Sequence, residues 1–387
     1  MASASDLIKK RSTLTVNIVL PFILVIYGLN TKGSPDFQSL HRPLINITIF
    51  SLTLLQLWRF LVIYGSSFAK QSLTFRGKEL LPLSCLALLS VMSFYQFGKF
   101  HGPNFVHYWE QTHYYLGSKY FPELSYKNLY KAMIQAQKET TGSYQTEIFR
   151  DLNSKELVPL GEHLKAMQET RKNFSNERWN EFKRDVSGFR SHFSQKRWNQ
   201  LLLDHGYNPP PGWTMLGGSL IQGLDQFPLS LDQKLTALAM IDPVLLLMVF
   251  IAIGFCLGPF TGLMSMIFYF ATPFQIFDFT GGSFLRQAWF FTSMLGFCFV
   301  FIKKPVMAGL FFGLSISFRI FPALFLLFPF LQFFWLWVKD KSLPKFHLQL
   351  GLSTFLSLAI VIVLRGYLES SAIPLSMRFK HRRIFAI

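Results

Sequence analysis

The sequence has little charge and few cysteines. Of its 387 residues only 15% are Asp, Glu, Lys or Arg, whereas soluble domains carry about 25%. This shortage of charge argues against an ordinary soluble protein. The three cysteines, Cys85, Cys256 and Cys298, all lie in apolar segments. The polar part of the chain therefore has neither a disulfide framework nor a thiolate zinc site.

Motifs for soluble cofactors are also absent. The chain has no Walker loop, no dinucleotide-binding glycine fingerprint and no Gly-x-Ser-x-Gly elbow. The formal net charge of +17 could suggest nucleic acid, but the basic residues flank apolar runs. In that position they orient membrane spans and meet anionic lipid. We therefore expect membrane lipids, and not nucleic acid, as partners.

Long apolar runs dominate what is present. Half of the residues are hydrophobic and 44 are Phe. This pattern predicts an all-α polytopic membrane protein with about nine transmembrane helices. The predicted spans are approximately residues 14–29, 44–64, 80–97, 237–257, 260–277, 284–302, 306–318, 321–338 and 348–364.

Hydropathy divides the chain into a three-span segment (1–98), a mainly helical polar loop domain (99–212), a six-span membrane domain (213–364) and a basic tail (365–387). Basic residues in short loops, such as Lys9–Arg11 and Lys303–Lys304, follow the positive-inside rule if the N-terminus is cytoplasmic and the polar region extracytoplasmic. The tail falls on the wrong face if all nine spans cross. Either one span is re-entrant or the tail is an exception.

Two helices can be placed within the polar region. Leu129 and Met133 share a face at helical spacing, and Ser175 stands at a helix-start position. We interpret the apolar stripe that follows Ser175 as packing of a small helical domain. Its members are Trp179, Phe182, Val186 and Phe189. Three prolines, 209–211, then predict an extended linker back to the membrane.

The stretch 107–121 opens the polar region directly after an apolar segment. Glu110 lies midway between His107 and His113, with aromatic residues in the gaps. Glu110 is a candidate general base for an acceptor hydroxyl, with His113 orienting it. Glu-x-x-His is also metal-ligand spacing on a helix, so both are candidate ligands of a divalent cation, Mg²⁺ or Mn²⁺. The alternative is an interfacial aromatic belt.

Other charged residues fall on the same predicted face of the membrane. Boundary charges are functional hypotheses, and a guanidinium suits phosphate because it stays charged and can bind bidentately. We predict that Arg286 and Arg319 bind a phosphate, with Asp278, Asp204 and His205 as further substrate-binding candidates. Interfacial anchoring, or pairing of the arginines with Asp278, is the alternative.

The layout resembles the GT-C-type integral membrane glycosyltransferases, which use polyprenyl-phosphate sugars as donors. An acidic residue follows a span, and a long external loop and many spans come after it. The segments 113–124, 204–211 and 319–323 are similar to a group of bacterial membrane proteins with this layout, over the chain from the first span to about Val338. The resemblance implies that Glu110 is the base and that Arg286 and Arg319 contact the donor phosphate, in a bacterial cytoplasmic membrane.

The chain departs from that group at two places. It has His107-Tyr-Trp-Glu110 where the group is closer to His-Glu-Trp-Asp, and Arg286-Gln-Ala-Trp289 where the group tends to carry an acid beside the tryptophan. Both changes remove or lengthen a carboxylate, which implies reduced, altered or absent transferase activity.

Three functions follow as hypotheses. The leading one is a glycosyltransferase that moves a sugar from a polyprenyl-phosphate donor to an acceptor on the extracytoplasmic face. The second is a non-catalytic scaffold or assembly subunit in envelope polysaccharide or lipid export, with other envelope-biosynthesis subunits as partners. A transporter is third, disfavoured because the apolar spans carry few internal charges.

Overall fold

The computed structural model describes residues 19–65, 77, 80–101, 104–273 and 275–372. It is 75% helical, and the strands of the described residues form one antiparallel hairpin, β1 (Ile148–Arg150) with β2 (Leu157–Pro159). The all-α expectation is confirmed. The basic N-terminus, the loop with Lys70, Arg76 and Lys78, and the end of the basic tail lie outside the described residues.

The longer helices are numbered in chain order. They are α1 (Val19–Thr31), α2 (Arg42–Tyr64), α3 (Leu81–Phe94), α4 (Tyr108–Lys119), α5 (Leu129–Thr141), α6 (Leu164–Arg171), α7 (Asn176–Arg190), α8 (Gln195–Leu201), α9 (Pro211–Asp225), α10 (Leu231–Ala239), α11 (Ile241–Leu257), α12 (Pro259–Ala271), α13 (Ala288–Phe301), α14 (Pro305–Phe318), α15 (Leu327–Asp340) and α16 (Lys345–Ala372). Short helical turns at Phe37–His41, Gln96–Gly98, Phe121–Leu124, Leu160–His163, Phe277–Thr280 and Phe321–Leu326 connect them.

The chain has the helices of an all-α membrane protein. Among the described residues, four helical segments are long and apolar enough to cross a bilayer: Phe37–Ile63, Leu231–Leu257, Phe321–Asp340 and Lys345–Leu364. Five shorter apolar helices, of 10–17 residues, are α1, α3, α12, α13 and α14. These nine correspond to the nine predicted apolar segments, while the number that cross a membrane stays a prediction.

Contacts group the chain into two compact units. Unit 1 comprises the described parts of Met1–Phe105, Pro243–Gly282 and Met294–Lys304. Unit 2 comprises Val106–Asp242, Ser283–Ser293 and the described part of Pro305–Ile387. These units cut across the four parts predicted from hydropathy, because residues of the polar region pack with apolar helices that follow much later in the chain.

Unit 1 is built on α2, α3 and α12, which pack against one another. Their facing side chains are fully buried, among them Ile49, Leu83 and Ile267. The turn before α12 depends on Gly258, whose φ of 91° is left-handed, followed by a proline at the first helical position. This pairing ends one helix and starts the next, because glycine tolerates positive φ and proline needs no N–H at a helix start.

The two helices predicted in the polar region are confirmed in unit 2. Ser175 caps α7 by accepting a hydrogen bond from the backbone N–H of Arg178 at 3.2 Å. On α5, Leu129 and Met133 are both fully buried. The four members of the α7 stripe are buried as well; they are Trp179, Phe182, Val186 and Phe189.

The proline linker differs from its prediction in one respect. Pro210 is extended, with φ −63° and ψ 162°, but Pro211 is already the first residue of α9. Proline fits this position because the first N–H groups of a helix have no partner inside the helix. The extended segment is therefore shorter than three prolines suggested.

A buried ammonium group joins three helices of unit 2. Lys119, at the end of α4, is 2% exposed, and its Nζ lies 2.9 Å from Glu181, 2.8 Å from Asp185 and 2.9 Å from Asp225. The first two carboxylates belong to α7 and the third to α9. A buried charge is tolerated only when it is fully paired, so this ion network ties the end of α4 to both helices.

Small residues allow α14 and α16 to pack closely. A Cβ atom added to Gly309 or Gly313 of α14 would collide with the backbone or side chains of Ser353, Thr354 and Ser357 on α16. Gly and Ser at such an interface let two membrane helices approach until their backbones nearly touch.

We expect Gly313→Leu to separate α14 from α16. Overpacking of this kind costs about 1–3 kcal/mol, so the midpoint of thermal unfolding in detergent should fall clearly. Gly351→Leu is the matched control, because a Cβ at Gly351 of α16 meets nothing within 4 Å. Equal midpoints for the two variants would contradict the close contact.

We expect Lys119→Met to destabilise the protein by about 3–5 kcal/mol, because removing one partner leaves uncompensated buried charge. The free energy of unfolding in denaturant measures this. The control is Lys172→Met, which removes a solvent-exposed pair with Glu169 and should leave stability unchanged. A similarly small effect of both substitutions would argue against the network.

Candidate functional site

Helix α4 presents the stretch singled out in the sequence. His107 caps the helix, and its Nδ1 accepts a hydrogen bond from the backbone N–H of Glu110 at 3.2 Å. The cap starts the helix where the chain leaves the preceding loop. Trp109, Glu110, His113 and Tyr114 all lie on its first two turns.

Glu110 and Arg286 form an ion pair within unit 2. Glu110 Oε2 contacts Arg286 Nη2, and the two side chains are 20% and 11% exposed. The Nε of Arg286 is buried and, among the described residues, has no hydrogen-bond partner. Two of the predicted site residues, 176 positions apart in the chain, are therefore in contact.

Tyr114 connects this pair to Arg319. Its ring lies 4.0 Å from the guanidinium carbon of Arg286. The positive charge of Arg319 acts on its hydroxyl, which donates a hydrogen bond to Asn208 Oδ1 at 3.4 Å. No ion pair joins Arg319 to a carboxylate within the described part of the chain. Glu110, Arg286 and Arg319 thus meet around one tyrosine, which the sequence did not single out.

The cluster carries more positive than negative charge. Arg286 keeps its charge at neutral pH, because a guanidinium is not deprotonated in proteins. Burial raises the pKa of Tyr114 although Arg319 opposes it, so the phenol stays neutral. Two guanidinium groups beside one carboxylate favour the binding of an added anion.

A buried carboxylate fixes the backbone of Arg286. Asp242 Oδ2 accepts a hydrogen bond from the N–H of Arg286 and Oδ1 one from the N–H of Gln287, both at 3.0 Å. Asp242 lies in the first turn of α11, and the two N–H groups immediately precede α13. A carboxylate at such helix starts is stabilised by unpaired N–H groups. An acid inside an apolar run was the available signal for this contact, and Asp242 was not among the residues predicted from the sequence.

Asp204 orients Trp109, the neighbour of Glu110. Its Oδ2 accepts from Trp109 Nε1 and its Oδ1 from the N–H of His205, each at 2.7 Å. Partial burial raises the pKa of Asp204, but these hydrogen bonds outweigh it and hold the pKa below its ordinary value. His205 itself is exposed.

His113 does not share a site with Glu110. Its ring is 2% exposed, and its Nε2 lies 2.8 Å from the Tyr130 hydroxyl. Burial lowers its pKa to about 4, so the imidazole is neutral at physiological pH. Because Glu110 contacts Arg286 instead, the two residues do not form the predicted cation site. Among the described residues, no three His, Cys, Asp or Glu side chains are grouped to hold a metal.

Asp278 belongs to unit 1. Its Oδ1 accepts a hydrogen bond from Gln96 Nε2 at 2.5 Å and lies 4.0 Å from His101 Nδ1. The carboxylate that pairs with Arg286 is Glu110. The role of Asp278 in substrate binding stays a prediction.

No family model, no curated protein and no solved structure matches this sequence. The resemblance to GT-C transferases accordingly stays a prediction.

The buried neutral state of His113 predicts a pH dependence of stability. Its pKa of about 4 in the fold lies below the ordinary value of 6.5, so the unfolded chain binds the extra proton first as the pH falls. Stability should be full above pH 6.5 and fall by about 3 kcal/mol as the pH drops to 4. His113→Gln, which cannot titrate, should lose less stability across this range. Unfolding in denaturant at four pH values measures the two slopes, and equal slopes would contradict the assignment.

Proposed function

We propose that this chain is an integral membrane glycosyltransferase, which transfers a sugar from a polyprenyl-phosphate donor to an acceptor at the extracytoplasmic face. The observation that carries the proposal is the contact of a partly exposed carboxylate, Glu110, with Arg286, and the link through Tyr114 to Arg319. The apolar helices of the same chain suit insertion into a membrane, where a lipid-linked donor resides.

The arginines suit the donor phosphate. Arg286 has a buried Nε–H without a partner in the described residues, and Arg319 has no carboxylate paired with it there. Guanidinium groups bind phosphate oxygens through charge-assisted hydrogen bonds. They would also stabilise the negative charge that grows on the phosphate as it leaves.

Glu110 supplies the base. It takes the proton of an acceptor hydroxyl while that oxygen forms a bond to the anomeric carbon of the sugar. The bond between the anomeric carbon and the phosphate oxygen breaks, and polyprenyl phosphate departs with its electron pair. Glu110 then returns the proton to water.

The ion pair couples donor binding to base activation. Without donor, the guanidinium of Arg286 stabilises the Glu110 carboxylate and weakens it as a base. A phosphate that binds Arg286 replaces the carboxylate as its partner. Glu110 then becomes available for the acceptor hydroxyl, so the base is strengthened only when the donor is in place.

The two predicted metal ligands do not fit a shared cation. Glu110 is paired with Arg286, and His113 is paired with Tyr130.

The test is transfer from a panel of polyprenyl-phosphate hexoses by the full chain in envelope-lipid vesicles, followed as release of polyprenyl phosphate. We expect Glu110→Gln to lower the rate about 10²–10⁴-fold, the usual effect of losing a general base. Donor binding should persist. Glu162→Gln, at an exposed carboxylate outside the cluster, should be as active as wild type.

Arg319→Gln separates phosphate binding from base catalysis. It should weaken donor binding about tenfold, the loss expected for one charge-assisted hydrogen bond, while Glu110→Gln should not. Full transfer activity in Glu110→Gln would exclude the base role. Folded wild-type protein that transfers from none of the donors would instead favour the non-catalytic scaffold.

A further inference from the structure

A cavity of about 350 Å³ opens in unit 2 beside the Glu110 cluster. Its volume lies within the range of ligand clefts, roughly 300–1,000 Å³. Arg150, Lys155 and His205 line it, and none of its lining residues is acidic. Asp204, next to His205, uses its carboxylate on Trp109 and on the backbone of His205. The cavity therefore presents positive charge without a carboxylate of its own to neutralise it.

The cationic wall is built by hydrogen bonds between two segments. Arg150 is the last residue of β1, and its Nε donates to the carbonyl of Leu203 at 2.8 Å. Its Nη1 donates to the carbonyl of Lys155 at 2.6 Å. The first bond holds the hairpin against the segment that leads to His205, and the second lies within the hairpin. Arg150 forms no ion pair among the described residues, so its charge faces the cavity uncompensated.

Two tyrosines also line the cavity. The rings of Tyr126 and Tyr207 stack at 18° with centroids 5.8 Å apart. Tyr207 is buried and its hydroxyl donates to Thr214 at 2.8 Å. Tyr126 is half-buried, and its hydroxyl donates to the carbonyl of Pro209 at 3.0 Å. A half-buried aromatic face attracts C–H groups through its negative π surface, and the C–H face of a sugar ring offers such groups.

Two residues that line the cavity also contact Tyr114. The Tyr207 ring contacts the Tyr114 ring edge-on, with centroids 5.8 Å apart, and Asn208 accepts the Tyr114 hydroxyl. Tyr207 and Asn208 both line the cavity. Tyr114 therefore contacts both this part of the cavity lining and the guanidinium of Arg286.

We infer that this cavity binds an anionic saccharide, a sugar that bears a carboxylate or a phosphate. Arg150 and Lys155 hold the acidic group, and the Tyr126 ring packs on the sugar face. Its role as the acceptor subsite rests on the proposed function, because the acceptor must lie near Glu110. Its binding of an anionic sugar does not depend on that function.

The experiment titrates purified full-length protein in detergent with glucuronate, glucose 6-phosphate and glucose, by calorimetry. We expect one or both anionic sugars to bind at least tenfold more tightly than glucose. Which of the two binds distinguishes a carboxylate ligand from a phosphate ligand. Equal affinity for glucose, or no binding of either anionic sugar, would overturn the inference.

Variants assign the binding to this cavity. Lys155 is exposed, so the Lys155→Gln variant should fold normally. Its affinity for the anionic sugars should fall about tenfold. Lys196→Gln, at an exposed position on α8, is the matched control and should bind as wild type does. Tyr126→Ala should weaken binding without removing charge. Unchanged affinity in both Lys155→Gln and Tyr126→Ala would overturn the inference.

The two proposals fail separately. Glu110→Gln should keep its affinity for the anionic sugars although it loses transfer. Sugar binding that needs Lys155, in a wild-type protein that transfers nothing, would support the cavity and reject the transferase. Transfer without any binding of the anionic sugars would reject the inference alone.

Discussion

The buried ammonium of Lys119 sets the position of α4, the helix that carries the site. Burial alone would lower the pKa of Lys119, but the charge of Asp185 outweighs it and raises the pKa, so the group stays charged. The carboxylates that pair with Lys119 belong to α7 and α9, so both helices must lie at the end of α4. Because α9 also packs on α14 and α16, the same ion network fixes α4 relative to the helix from whose end Arg319 extends.

With α4 held in place, two kinds of contact act on Arg286: an ion pair on its side chain and hydrogen bonds on its backbone. The Glu110–Arg286 pair is mostly buried, and removing one partner of such a pair costs several kcal/mol. Water is therefore a poor substitute for either partner, whereas a phosphate can replace the carboxylate without leaving the guanidinium uncompensated. The Asp242 hydrogen bonds hold the backbone of Arg286, so only its side chain has to change partners.

The parts of this structure that sequence could predict are those decided locally. The α7 stripe follows from a period of 3.6 residues, and the apolar helices follow from runs of hydrophobic residues that end at Gly, Pro or Lys. Topology predicted that Glu110 and Arg286 lie on one face of the membrane, but their ion pair was not predicted, because Asp278 was the expected alternative partner of the arginines. The contacts of Asp242 and the burial of His113 could not be predicted, because each depends on a partner brought close only by the tertiary fold. The same is true of the division that puts Asp278 in unit 1.

Tyr114 shows why a neutral aromatic residue, and not a further charge, stands at the centre of the cluster. Two guanidinium groups repel each other, and a carboxylate between them would pair with both and close the site to an anionic substrate. A phenol ring attracts the first guanidinium through its π face, and the charge of the second acts on its hydroxyl. It therefore holds Arg286 and Arg319 near one another while leaving their charge for a ligand. The same ring packs against Tyr207, so any ligand that shifts Tyr207 also shifts the surface on which Arg286 rests.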